Sequence, residues 1–345
     1  MINTRLYTLD EAKNENTIKE IAKILQEGGL AVIPTETVYG LAADGLNSQA
    51  VEKIFKAKGR PQDNPLIMHI SNFEMIYEIA SVVPETAIKL ASKFWPGPFT
   101  MILPKKDIVP QVTSGGLNSV AIRMPSHPIA RKIIEAARTP LAAPSANISG
   151  KPSPTSFSHC VEDMKGKADA IIDGGDCDFG VESTVVSLLG DVPVLLRPGA
   201  ITPEQIRDVI GKLDIAQAVT DKLENDEKVL SPGMKYKHYS PNAKVFIVKG
   251  SFEKYKNFIE NLNEDGIYGL VFTGESSRLA VNSLEYGDEK SSLEQAHNLF
   301  FKLRELDEKN ARIVYARLPL QDGVGLAVYN RLIRAAAFEI IDLEE

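Results

Sequence analysis

Apolar positions along the chain switch repeatedly between helical and strand-like spacing. Over 17–27, Ile18, Ile21, Ala22 and Leu25 share one helical face, and Gly28-Gly29 marks its end. Leu30-Ala31-Val32-Ile33 then reads as a short buried strand. A helix with Ser48 as N-cap follows, its stripe formed by Val51, Ile54 and Phe55, and it stops at Gly59. The pattern predicts strands over 66–70, 99–103, 119–124, 170–172 and 184–188, and helices over 84–94, 127–138 and 202–212. Strand and helix alternation of this kind builds α/β layers. No helical pattern separates 99–103 from 119–124, so the sheet is expected to be mixed.

The rhythm breaks at 217–228, which is polar and charged, and at 231–241, where Pro232, Gly233 and Pro241 exclude regular structure. That stretch also carries Tyr236, His238 and Tyr239 with two lysines. On residues alone it reads equally as a ligand-binding segment or as a linker packed on its own domains. Afterwards the alternation restarts, with strands over 245–248, 268–272 and 313–316 and helices over 252–262, 291–306 and 326–340. Ser291 and Glu294 have capping-box spacing. The reading is three units: 1–216, a linker 217–242, and a small parallel α/β domain 243–345.

Bulk properties narrow the class. The 345 residues suit two cores, and 43% hydrophobic with 25% charged residues is an ordinary globular balance. A net charge of −7 argues against bulk attraction to nucleic acid. Cys160 and Cys177 are too far apart for a Cys-x-x-Cys site and read as incidental thiols. The polar first residues carry no leader pattern, and no apolar run nears the roughly 20 residues a bilayer span needs. The expectation is a cytoplasmic protein without a membrane partner.

Candidate chemistry gathers where strands end, as ligand sites in α/β proteins do. Pro34-Thr35-Glu36-Thr37-Val38-Tyr39-Gly40 leaves the first strand, and alone could be a plain turn. Lys58 and Arg60 flank Gly59 in a loop that continues to Asn64-Pro65. Two cations there suit a polyphosphate, although lysines ending a helix also offset its dipole. Ser145-Ala146-Asn147 opens a hydroxyl-rich and amide-rich loop that runs through Ser153. It could hold phosphate oxygens or hydrated magnesium, or be a solvated turn. Arg123 lies within an apolar strand and needs an anionic partner, from protein or ligand. Ser183 enters a strand and Arg197 precedes Pro198-Gly199. His69, alone on an apolar strand, reads as structural. The chain has no G-x-x-x-x-G-K-[ST] loop, no G-x-G-x-x-G after a strand, no paired-histidine metal motif and no G-x-S-x-G elbow.

In this order, Pro34 to Gly40, Lys58-Gly59-Arg60-Pro61 with Asn64-Pro65-Leu66, Trp95-Pro96-Gly97-Pro98-Phe99-Thr100, Val120 to Pro125 and Ser145-Ala146-Asn147 resemble the YrdC-like L-threonylcarbamoyladenylate synthases. The likeness covers roughly the first two hundred residues. Pro232-Gly233-Met234, His238-Tyr239-Ser240-Pro241 and 325–332 resemble the family's long, two-domain form. The resemblance implies a mixed twisted sheet with helices, then a smaller Rossmann-like parallel domain joined by a linker that reaches the active site.

It also implies a nucleotidyltransferase reaction: L-threonine, bicarbonate or carbon dioxide, and ATP give L-threonylcarbamoyl-AMP and pyrophosphate. A second enzyme passes the threonylcarbamoyl group to the adenosine beside a tRNA anticodon. By similarity, Lys58, Arg60, Ser145 and Asn147 are the catalytic set around the phosphates. Asn64, Ser119, Ser153 and Arg197 match further nucleotide contacts, and Tyr236 or Tyr239 closes over the nucleotide. Thr35, His69, Arg123 and Ser183 match the threonine pocket, which reverses the structural reading of His69. Magnesium comes with ATP and is held mainly by its phosphates, with no direct protein ligand. Ala143 and Ser119 stand where some relatives carry threonine. The implied partners are ATP, L-threonine, bicarbonate and the downstream transferase, with at most a weak tRNA contact; the alternatives are a carbamoyltransferase that adenylates carbamate from carbamoyl phosphate, a nucleic-acid-binding module, and a nucleotide sensor without turnover.

Overall fold

The computed structural model describes residues 2–221, 239–262 and 264–344. Tyr236 and most of the predicted linker lie outside them. Among the described residues the first half forms strands β1 (Arg5–Tyr7), β2 (Ala31–Ile33), β3 (Gly40–Asp44), β4 (Ile67–His69), β5 (Phe99–Pro104), β6 (Ser119–Arg123), β7 (Leu141–Ala142), β8 (Ala170–Ile172), β9 (Thr184–Ser187), β10 (Val194–Arg197) and β11 (Asp214–Ile215). They make one sheet in the order β1-β8-β2-β3-β7-β4-β6-β5-β9-β10-β11. The sheet is mixed: β4 runs parallel to β6, while β5 pairs antiparallel with β6 from Thr100↔Arg123 to Pro104↔Ser119. A single helical turn, Gln111–Ser114, interrupts the connection between β5 and β6 without reversing that pairing.

Helices cover the sheet through the stripes read from the sequence. Glu15–Gln26 buries Ile18, Ile21, Ala22 and Leu25. Ser48–Lys58 buries Val51, Ile54 and Phe55 and ends on Gly59, whose φ of 63° is the left-handed turn glycine takes without a Cβ clash. Its N-cap is Asn47 rather than the expected Ser48: the Asn47 Oδ1 accepts the backbone N–H groups of Gln49 and Ala50. Two cap-competent residues in a row left the choice open to one residue.

The C-terminal domain is all parallel. Strands β12 (Lys244–Lys249), β13 (Ile267–Val271), β14 (Ser283–Glu285), β15 (Ile313–Arg317) and β16 (Ile340–Asp342) lie in the order β14-β13-β15-β12-β16. The helix expected over 326–340 is Gly325–Ala335. Ala337 and Phe338 turn at φ 50° and 68°, and the chain enters β16 beside β12. No glycine or proline announces that turn; strand pairing overrides the helical spacing. The two halves share a core, in which Val38 and Val181 of the first pack with Tyr239, Leu299 and Phe300.

Candidate active site

The sheet ends β2, β4, β6, β7 and β10, with the loops after them, surround an open cleft. Thr35, Arg60, His69, Arg123, Ser145, Asn147, Ser153, Ser183, Arg197 and Tyr239 line it, with Val38, Tyr39, Gly40, Ile67, Ala143, Pro144 and Glu182. Lys58, Asn64 and Ser119 are buried but do not form the wall.

The floor is set by strand register. His69 on β4 and Arg123 on β6 are direct partners across the ladder. Arg123 donates to Thr37 Oγ1 at 2.9 Å and forms an ion pair with Glu36 at 2.8 Å. The anionic partner that this strand arginine required is therefore present in the protein, on the loop after β2. Burial alone would push the Glu36 carboxyl up, but Arg123 and backbone N–H groups hold it below the ordinary carboxylate value. Thr35 Oγ1 donates to the Val38 carbonyl at 2.6 Å, which closes that loop on itself. His69 Nδ1 lies 3.2 Å from the Ile67 carbonyl, within hydrogen-bonding reach. Burial, then Arg123, pushes its pKa down to about 3, and the ring is neutral at neutral pH.

The second wall is the loop after β7. Ser145 Oγ donates to Asn147 Oδ1 at 2.5 Å, and Asn147 Nδ2 donates to the carbonyls of Ile148 and Lys151 at 2.8 and 2.9 Å. Lys58 reaches this loop from behind: its ammonium donates to the Ser145 and Asn147 carbonyls at 2.5 and 2.6 Å. Burial and then Arg60 depress the Lys58 pKa well below the usual lysine value. Arg60 Nη2 donates to the Pro65 carbonyl at 3.3 Å, bracing the loop that holds Asn64.

The third wall joins β9, β10 and the second domain. Ser183 Oγ lies 2.8 Å from Thr100 Oγ1 and accepts from Arg197 Nη2 at 3.2 Å. Ser153 Oγ donates to Glu182 at 2.5 Å. Tyr239, at φ 64°, stacks on Phe300 with centroids 5.1 Å apart and so presents a ring to the cleft. Glu36, Glu182 and Arg331, which bonds Glu182, were not singled out by sequence reasoning. Glu36 stood inside a quoted motif and Glu182 beside Ser183, but charge pairs across the fold leave no local spacing to read. Among the described residues no three His, Cys, Asp or Glu side chains cluster as metal ligands. No described helix is long and apolar enough to cross a membrane. Cys160 and Cys177 are both free and buried.

A cationic cleft at the ends of a mixed sheet, backed on one side by a parallel α/β domain, defines a two-domain α/β protein built to take anionic and small polar ligands. A family profile described as "Telomere recombination" (Sua5_yciO_yrdC) matches residues 23–199, and one described as "Threonylcarbamoyl-AMP synthase, C-terminal domain" matches 201–337. The chain is 47% identical over 343 residues to the threonylcarbamoyl-AMP synthase of Pyrococcus abyssi, covering 98% of this chain and 99% of that protein. It is 44% identical over 334 residues to the Bacillus subtilis threonylcarbamoyl-AMP synthase, with 95% of each covered. The crystal structure of P. abyssi Sua5 complexed with L-threonine superposes with a TM-score of 0.91 at 46% identity, covering 98% of this chain and 99% of that one. The chain belongs to the threonylcarbamoyl-AMP synthase family.

Proposed function

We propose that this protein makes L-threonylcarbamoyl-AMP and pyrophosphate from L-threonine, bicarbonate or carbon dioxide, and ATP, the first step of threonylcarbamoyladenosine formation in tRNA. The observation that carries this reading is the cleft itself. On one side Arg60, Ser145 and Asn147 line it with buried Lys58 behind their loop, and Arg123, His69, Thr35 and Ser183 gather on another. Family membership and the names of the full-length relatives support the same reaction.

In this reading the threonine amine condenses with bicarbonate to a carbamate and water is lost. A carbamate oxygen then attacks the α-phosphorus, the bond to the β-phosphate bridge breaks, and pyrophosphate leaves with the electron pair. Lys58, Arg60, Ser145 and Asn147 hold the phosphates, as positioning and charge neutralisation require. Asn64, Ser119, Ser153 and Arg197 contact the nucleotide, and Tyr239 or Tyr236 closes over it. Arg123 faces the threonine carboxylate, with Thr35, His69 and Ser183 around the remaining polar atoms. Among the described residues the cleft offers hydroxyl and amide oxygens rather than a carboxylate cluster, which would suit a magnesium ion that stays with the phosphates and neutralises their charge. The working division is a catalytic unit 1–216, a linker 217–242 and an accessory domain 243–345. The product passes to a separate transferase that acts on tRNA, and any tRNA contact here is weak; the cytoplasm is where ATP, threonine and tRNA meet.

The test is pyrophosphate release by the purified protein with ATP, magnesium and bicarbonate, with and without L-threonine. Threonine-dependent release and an adenylate of the right mass are expected. Release with carbamoyl phosphate but not threonine would replace this reading with the carbamoyltransferase one.

A further inference from the structure

We propose that Arg331, carried by the C-terminal domain, is a positioning residue of the catalytic cleft; the inference rests on the synthase reading above. Arg331 lies in the helix Gly325–Ala335 and is fully enclosed. Its guanidinium leaves its own domain. Nε donates to Glu182 Oε2 at 3.0 Å, Nη2 to the Glu182 carbonyl at 3.1 Å, and Nη1 to the Pro198 carbonyl at 2.6 Å.

Each acceptor adjoins a cleft residue. Glu182 precedes Ser183, and Pro198 follows Arg197. Those two neighbours are bonded to each other, with Arg197 Nε donating to the Ser183 carbonyl at 3.1 Å. The second Glu182 oxygen accepts from Ser153. One planar fork therefore pins two strand ends and, through a carboxylate, a hydroxyl on a third segment. A lysine supplies charge but not this fork. The charge matters as well as the shape. Burial would push the Glu182 carboxyl up, and Arg331 first, then Arg197, hold it ionised. Without Arg331, buried Glu182 either takes a proton or draws Arg197 toward itself, and either outcome moves Ser153 or Arg197 out of place. The domain that contributes little to the cleft wall thus sets the geometry of one side of it.

The test uses the full-length protein and threonine-dependent pyrophosphate release. R331M is expected to lower kcat/KM at least 30-fold, and R331K at least 10-fold, with KM for ATP raised in both. R331M should also show a new ionisation above the ordinary carboxylate range in its pH profile. The charged or titratable groups facing Glu182 there are Arg197, Tyr239 and Lys58. In R331M/E182Q that ionisation should vanish and activity should recover several-fold over R331M. R331K carries the test if R331M does not fold. Wild-type kinetics in a folded variant, or lost stability with unchanged kinetics and pH profile, would make Arg331 a mere domain staple and overturn the proposal. A wild-type protein without threonine-dependent release would defeat the synthase reading instead.

Discussion

Arg123 and Glu36 form an ion pair at 2.8 Å with both side chains shut away from solvent. Breaking such a pair from one side leaves an uncompensated buried charge, which costs about 3–5 kcal/mol. Arg123→Met should lower unfolding free energy by that order in urea titrations, and Glu36→Gln with Arg123→Met should recover part of it. Arg123→Lys keeps the charge but loses the bond geometry. It should raise the threonine requirement far more than the ATP requirement. Equal effects on both substrates would count against a carboxylate role.

His69 predicts a pH dependence of stability. Its folded pKa is pushed down to about 3 from the ordinary 6.5. Below pH 6.5 the unfolded chain takes up a proton that the folded protein refuses, so stability is full above 6.5 and falls as the pH drops toward 3. The slope for one such group is at most about 1.4 kcal/mol per pH unit. His69→Gln should remove one proton's share of that slope between pH 6.5 and 4. An unchanged slope would mean that His69 is protonated in the fold.

Lys58 ties the Ser145 and Asn147 carbonyls together from behind the cleft. Lys58→Met should reduce pyrophosphate release more than 100-fold, because it removes both a charge and the tether of the phosphate loop. Amide hydrogen exchange over 145–151 should accelerate as well. Loss of activity with unaltered exchange would assign Lys58 to charge alone.

How much of this was legible in the sequence depended on the range of the interaction. Stripes such as Ile18, Ile21, Ala22 and Leu25 declare a helix locally, and the structure has it. Arg123 was conspicuous because a cation in an apolar strand demands a partner. Its partner Glu36 was not, because only the ladder of β4 and β6 and the loop after β2 bring them together. The same holds for Arg331 and Glu182, on different domains. Strand β1, Arg5-Leu6-Tyr7, lacks the uninterrupted apolar run that marks β2, and β16 lies within a stretch whose spacing continues the preceding helix. Pairing energy, which no single segment contains, decided those cases.

Gly180 tests how tightly the second domain must seat. Its φ is +71°, and a Cβ placed there would lie 2.3 Å from the His297 carbonyl and 2.6 Å from that of Ala296. Both belong to the helix Ser292–Glu308, which also supplies Phe300 beneath Tyr239 and Arg304, whose guanidinium bonds Asp163 and the Pro152 carbonyl across the interface. Gly180→Ala therefore adds a clash with backbone, which cannot rotate away, to the roughly 1–2 kcal/mol of a left-handed alanine. Gly116→Ala is the matched control: its φ is +79° with nothing within 4 Å, so it carries the conformational term alone. We expect Gly180→Ala to be destabilised clearly more than Gly116→Ala in denaturant, and to lose most pyrophosphate release because Tyr239 and Arg331 shift with the displaced helix. Equal stability and full activity in both variants would mean that the interface yields without disturbing the cleft, and that the second domain tolerates a looser seat than its contacts suggest.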